Sequence, residues 1–171
     1  MKKNKNQKKF LPLIKTGIGQ DSHCFESLIT KKPLVLGGII ISGYPALKGN
    51  SDADVVLHAI TNAVSGITGV NIIGDIADKM CLKQGIKDSS FYLKKALNYL
   101  KPYRLANVSI CIECKKPKIS KYIFKMKKSI SEICSIPIEN VGITATSGEE
   151  LTPFGKGLGI QTFAIVTAQR I

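Results

Sequence analysis

The chain has 171 residues, 44% of them apolar and none of them tryptophan, which fits one domain large enough for its own core. No apolar run approaches the ~20 residues that span a bilayer, and the basic start lacks a signal-type apolar core because Phe10-Leu11-Pro12-Leu13-Ile14 is too short; a cytoplasmic protein with no membrane partner is expected. The formal net charge is +13, and removing the five lysines of Met1–Lys9 from the 25 basic residues still leaves 20 against 12 acidic. That excess implies an anionic partner, nucleic acid or a small multiply charged phosphate compound, unless the lysines serve only solubility.

Residues 1–14 read as a basic N-terminal extension, low in complexity over Met1–Lys9 and expected to be disordered, and residues 15–171 as a single domain. Gly17 to Phe25 is the first predicted strand, and because alternate strand residues share a face, Asp21 and His23 project together. Pro33 to Ser42 reads as two short strands around Gly37-Gly38, a hairpin, and Gly43 to Gly49 as loop. A helix is predicted from Asp54 to about Ile67, with Ser51 or Asp52 as its N-cap. Val55, Ala59, Ala63 and Ile67 share one helix face. Asp54 and His58, four residues apart, stack on another, where Asp54 either orients His58 or favours the helix N-terminus.

Gly69 to Leu82 reads as loop with at most a short helix, and apolar neighbours imply a partly buried Asp75. Asp88 or Ser89 caps a helix to about Leu100, and Tyr103 to Glu113 is a strand. Lys115-Lys116-Pro117-Lys118 then leads into a helix from Ile119 to about Ile133, a place for an anion or simply a solvated basic turn. Pro137 to Asn140 is a turn, Val141 to Thr146 a strand, Ser147 to Gly159 a Gly-rich polar connection, and Ile160 to Ala168 the last strand. The fold class is α/β, an α+β sandwich with one mixed sheet and helices packed on one face. The opposite, apolar sheet face is expected to be buried in a homo-oligomer.

The five cysteines are Cys24, Cys81, Cys111, Cys114 and Cys134. Cys111 and Cys114 have Cys-x-x-Cys spacing but belong to a strand, and no second pair exists to complete a four-thiolate zinc site, so reduced, structural thiols are expected. His23 and His58 are the only histidines. With Asp21 they make two imidazoles and a carboxylate, the donor set of a catalytic zinc that keeps its fourth position open. The plain alternative is an Asp21–His23 pair and a satisfied histidine on a helix face.

From about Lys15 to its C-terminus the chain resembles the 2-C-methyl-D-erythritol 2,4-cyclodiphosphate synthases of the non-mevalonate isoprenoid pathway. The resemblance rests on Gly19-x-Asp21-x-His23, Leu36-Gly37-Gly38, the run Ser51-Asp52-Ala53-Asp54-Val55-Val56-Leu57-His58-Ala59, Gly74-Asp75-Ile76, Pro117-Lys118, and Ala145-Thr146 through Glu149 to Gly155-Lys156-Gly157-Leu158-Gly159-Ile160. It implies a homotrimer with active sites between neighbours. The substrate would be 4-diphosphocytidyl-2-C-methyl-D-erythritol 2-phosphate, whose 2-phosphate attacks the β-phosphorus while CMP leaves. It also implies zinc on Asp21, His23 and His58, and magnesium or manganese on Glu149. Asn50, Thr146 and Ser147 would stand beside the reacting phosphates. Ser22 and Ser51 would join the metal ligands in binding substrate, Asp75, Ile76 and Ala77 would hold the methylerythritol hydroxyls, and Cys114, Lys116, Pro117, Lys118, Ile119 and Ser120 would form the cytosine pocket. Pro153 would touch the substrate, and Lys156 would approach the nucleotide phosphates or the central cavity of the trimer. No nucleic-acid partner is expected.

Six positions depart from that pattern: Asn50 for a common histidine, Asn62 for Asp, Ala77 for Gly, Ser147-Gly148 for a threonine pair, and Lys156 for Arg, and the segment Asp78 to Lys87 matches poorly. Asn50 donates a hydrogen bond but carries no charge, and Lys156 lacks the bidentate fork of arginine. A zinc phosphohydrolase would share the metal triad but release an open product. A basic RNA-binding protein would need stacking aromatics, and these are only 6% of the chain and scattered.

Overall fold

In the computed structural model, residues 12–27 and 31–171 are described. The expected disorder of Met1–Lys9 lies outside them. Pro12 and Leu13 already follow the sheet: the Tyr103 hydroxyl donates to Pro12 O at 2.8 Å, and Arg170 N donates to Leu13 O at 2.9 Å.

The elements in chain order are β1 (Ile14–Cys24), β2 (Leu34–Leu36), β3 (Ile39–Ile41), α1 (Val55–Thr68), α2 (Asp75–Asp78), α3 (Ser89–Leu97), β4 (Tyr103–Glu113), α4 (Ile123–Cys134), β5 (Val141–Thr146) and β6 (Gly159–Arg170). A wider π-helical turn, Lys79–Lys83, continues α2, and a tight 3₁₀ turn, Ile119–Tyr122, opens α4. The main sheet has the order β1-β6-β4-β5, with β4 and β5 parallel and the other pairs antiparallel. It is mixed, as expected, but it does not take in every strand: β2 and β3 pair only with each other.

Burial alternates along the long strands because one sheet face meets the helices and the other is open. Val108, Ile110 and Ile112 of β4 and Ala164, Val166 and Ala168 of β6 are buried, whereas Phe163 and Ile165 of β6 and Ile18 of β1 are exposed. The pairing register puts Ile18 beside Ile165 and Phe163 beside Cys111, so the open face is a continuous apolar strip.

Helix α1 lies under β1 and β6 and is buried on nearly every side. Its approach to β1 is set by two missing side chains. A Cβ on Gly19 would stand 2.2 Å from Ala59 O and 2.3 Å from Ala63 N, and one on Gly17 would stand 2.1 Å from Ala63 O. The helix backbone therefore rests on the strand backbone, and residues further along the same face of β1 reach the side chains of α1.

The N-cap of α1 is Asp54, not Ser51 or Asp52. Its Oδ1 accepts from Val56 N and Leu57 N, each at 3.0 Å, and also from Gly37 N at 2.9 Å, while Oδ2 accepts from Gly38 N at 2.7 Å. Asp54 thus fastens the β2–β3 hairpin to the start of α1 and does not orient His58, as the four-residue spacing had suggested. Asp54→Asn keeps the size but turns one acceptor toward the hairpin N–H groups as a donor. The expected cost is about 2 kcal/mol, read as a fall of about 4–8 °C in Tm in thermal melts.

Candidate functional site

Asp21 and His23 sit on β1 beyond the two glycines and on the same face, turned toward α1; His58 is the fourth residue of that helix. Asp21 Oδ2 lies 2.9 Å from His58 Nδ1 and 3.3 Å from His23 Nε2. One ligand atom from each of the three residues falls within 4.8 Å of the others. Behind His58, its Nε2 meets the Ser89 hydroxyl at 2.8 Å, and the Ser89 Oγ donates to Asp52 Oδ1.

Burial alone would raise the Asp21 carboxyl, but hydrogen bonds and charge from His23 and His58 outweigh it and hold the group well below the ordinary carboxylate range. Asp21 is therefore an anion at any physiological pH. An ionised carboxylate and two imidazole nitrogens converging on one point fit a divalent cation, and zinc in particular accepts this mixed N/O set.

The triad opens into a cleft of about 350 Å³, whose other lining residues include Asn50, Ser51, Ala77, Asp78, Cys81 and Tyr92. Asn50, Ser51 and Ala77, expected as substrate contacts, thus share a cleft with the triad. Asp75 is exposed rather than partly buried, and neither it nor Ile76 lines this cleft. Ser22 lies between two triad residues on β1 but does not line it either.

A second cleft of about 240 Å³ is lined by Cys114, Pro117, Lys118, Ile119, Ser120, Ala145, Thr146 and Ser147. The Lys116–Pro117 peptide is cis, and Lys116 itself stays outside. Burial pushes the Cys114 thiol up to about 11, so it stays a protonated, apolar wall. That fits a structural role for the thiol and not a redox one.

Beside this cleft is a smaller hollow lined by Lys115, Lys118, Ser147, Glu149, Glu150 and Gly155. Ser147 Oγ donates to Glu149 Oε1 at 2.5 Å, and Lys115 pairs with Glu150 at 2.6 Å. Gly148, Glu149 and Glu150 all have positive φ, of 72°, 44° and 62°, a conformation that costs non-glycine residues energy and recurs at binding sites. Pro153 and Lys156 are exposed on the same connection and line none of the three hollows.

The expected residues thus form two separate groups. Both lie at one end of the sheet, because β6 pairs His23 with Ile160 on one side and Glu113 with Gln161 on the other, and Glu113 pairs with Thr146. They are on opposite edges, β1 and β5, three strand spacings or roughly 14 Å apart. Sequence reasoning missed Ser89, Cys81 and Tyr92. Ser89 had a signal, but only as a helix cap, and nothing local links it to His58, 31 residues away.

The YgbB family model matches residues 14–169. A 2-C-methyl-D-erythritol 2,4-cyclodiphosphate synthase of Chlamydia trachomatis serovar L2b is 46% identical over 156 residues, which cover 91% of this chain and 88% of that protein. The crystal structure of the 2C-methyl-D-erythritol 2,4-cyclodiphosphate synthase of Plasmodium vivax superposes with a TM-score of 0.77 at 26% identity, over 92% of this chain and 99% of that one. The bifunctional IspDF of Campylobacter jejuni gives a TM-score of 0.83 at 28% identity over 92% of this chain, which spans only 42% of that longer protein. By the reach of the family model and by this identity, the chain belongs to the YgbB family, that of the 2-C-methyl-D-erythritol 2,4-cyclodiphosphate synthases.

Proposed function

We infer that the chain converts 4-diphosphocytidyl-2-C-methyl-D-erythritol 2-phosphate to 2-C-methyl-D-erythritol 2,4-cyclodiphosphate. A 2-phosphate oxygen bonds to the β-phosphorus, the bond from that phosphorus to the bridging oxygen breaks, and CMP leaves with the oxygen. The reacting groups are both anions, so the work is neutralisation and alignment. Asp21, His23 and His58 hold zinc, and Glu149 carries magnesium or manganese; the two cations supply Lewis acidity and a template for phosphate oxygens. Asn50 and Ser51, on the rim of the triad cleft, donate hydrogen bonds to the 2-phosphate. Asn50 adds no charge, which leaves neutralisation to the cations. Thr146 and Ser147 offer hydroxyls to the diphosphate. The cytosine sits among Cys114, Pro117, Lys118, Ile119 and Ser120, with Lys116 at its edge. Ala77 walls the methylerythritol site, Asp75 and Ile76 flank it, and Ser22 lies between two of the metal ligands, while Pro153 and Lys156 approach the nucleotide phosphates from the connection before β6.

The observation that carries this reading is the pair of incomplete half-sites at one sheet end, on opposite edges. A single chain keeps them apart, but a ring of chains brings the β1 edge of one beside the β5 edge of the next. A homotrimer does this and covers the apolar strip of Ile18, Phe163 and Ile165. Such a trimer fits a cytoplasmic enzyme, and among the described residues no helix is long and apolar enough to cross a membrane.

Mixing two inactive variants tests this. His58→Ala spoils the metal half and Glu149→Ala the nucleotide half. Co-refolded trimers should regain CMP and cyclic diphosphate formation, because some interfaces then join two intact halves. Mixtures no more active than either variant alone would overturn the shared site.

A further inference from the structure

We propose that Ser89, with Asp52 behind it, is the positioning pair that fixes the ring of His58 as its Nε2–H tautomer and so presents the Nδ1 lone pair to the metal. The inference rests on the zinc reading above and extends it to residues outside the triad. Ser89 is the first residue of α3 and is fully buried. Asp52 grips it twice: Oδ2 accepts from Ser89 N at 3.0 Å, and Oδ1 accepts from the Ser89 hydroxyl. Asp52 N in turn donates to Lys87 O at 2.9 Å. The loop before α1 and the start of α3 are therefore tied together at the serine and two residues before it.

A hydroxyl has one hydrogen. Given to the Asp52 carboxylate, it leaves the Ser89 oxygen only able to accept, and the atom it faces at 2.8 Å is His58 Nε2. The ring proton must then sit on Nε2. In the neutral ring the lone pair falls on Nδ1, which faces Asp21 Oδ2 at 2.9 Å; what joins these two atoms is the shared hydrogen of their hydrogen bond or, in its place, a metal ion. The chain Asp52–Ser89–His58 is a carboxylate-to-imidazole relay of the kind that sets tautomer and orientation of metal-bound histidines, with a serine as the middle link. Water cannot substitute easily, because Ser89 is shut off from solvent and His58 nearly so, at 6% exposure.

The test uses the full metal-free chain, with zinc alone titrated against a fluorescent chelator. Ser89→Ala should weaken zinc binding about 10- to 100-fold, and Asp52→Asn by a similar factor, since an amide donating to the Ser89 oxygen turns its hydrogen toward Nε2. The double variant should be no weaker than Ser89→Ala, because Asp52 acts through the serine. In ¹⁵N-histidine NMR of the zinc-saturated chain, the His58 Nε2–H should be protected from exchange in wild type and unprotected in Ser89→Ala, with a fall of only about 2–8 °C in Tm from the lost buried hydrogen bonds; a general loss of packing would instead unprotect the backbone amides of α1 and α3 as well. Zinc affinity in Ser89→Ala equal to wild type, or a ring proton still protected there, would overturn the positioning pair while leaving the triad intact. Failure of the wild-type chain to take up zinc, with His58→Ala no different, would overturn the triad and the pair together.

Discussion

His58→Ala is expected to yield a folded chain that no longer retains zinc through purification and forms cyclic diphosphate about 10³-fold more slowly or not at all. The imidazole supplies one of three ligand atoms, and the remaining two, from Asp21 and His23, both come from one strand. Two ligands from one short segment do not close a site on zinc. The fold should survive because one side of the ring borders the cleft, so its removal enlarges that cleft and lets water reach Asp21. Metal analysis and a thermal melt on the same sample check both halves of the expectation. Wild-type activity in this variant would remove His58 from the ligand set.

Gly19→Ala should strongly destabilise the fold. The added Cβ meets the carbonyl of Ala59 and the amide of Ala63, which are helix backbone and cannot rotate aside as a side chain would. Strand and helix must separate instead, and the cost is about 4 kcal/mol or more, a fall of about 8–16 °C in Tm. The same separation pulls Asp21 away from His58, since one is on β1 and the other on α1. Zinc affinity should therefore drop even in the fraction that folds. A melt within a degree or two of wild type would show that the strand–helix spacing is softer than the backbone contact implies.

Much of this was legible from local pattern. Strands Tyr103–Glu113 and Val141–Thr146 have the bounds read from the sequence, because alternation and flanking turn residues mark both ends. Asp21 and His23 share a face because strand periodicity requires it, and the Gly37-Gly38 hairpin followed from its glycines. What was not legible lies in contacts between distant segments. The Asp54 carboxylate read equally as a partner for His58 or as a favourable charge at the helix N-terminus; it caps that N-terminus, and the hairpin amides of Gly37 and Gly38, 17 and 16 residues away, also claim it. Asp75 looked partly buried from its apolar neighbours, yet α2 turns it to solvent. The Ser89 hydroxyl and the Asp52 carboxylate read as helix-cap candidates, and only the packing of α3 against α1 brings them to His58. The sheet likewise reads as one body until the register shows β2 and β3 pairing apart.

Phosphorus NMR of the purified chain with 4-diphosphocytidyl-2-C-methyl-D-erythritol 2-phosphate, zinc and magnesium tests the reaction most directly. The expected spectrum replaces the substrate signals with those of a cyclic diphosphate and of CMP in equal amounts, and shows neither when a chelator removes the metals. CMP accompanied by an open-chain bisphosphate, or an unchanged substrate in the presence of zinc-loaded protein, would contradict the assignment.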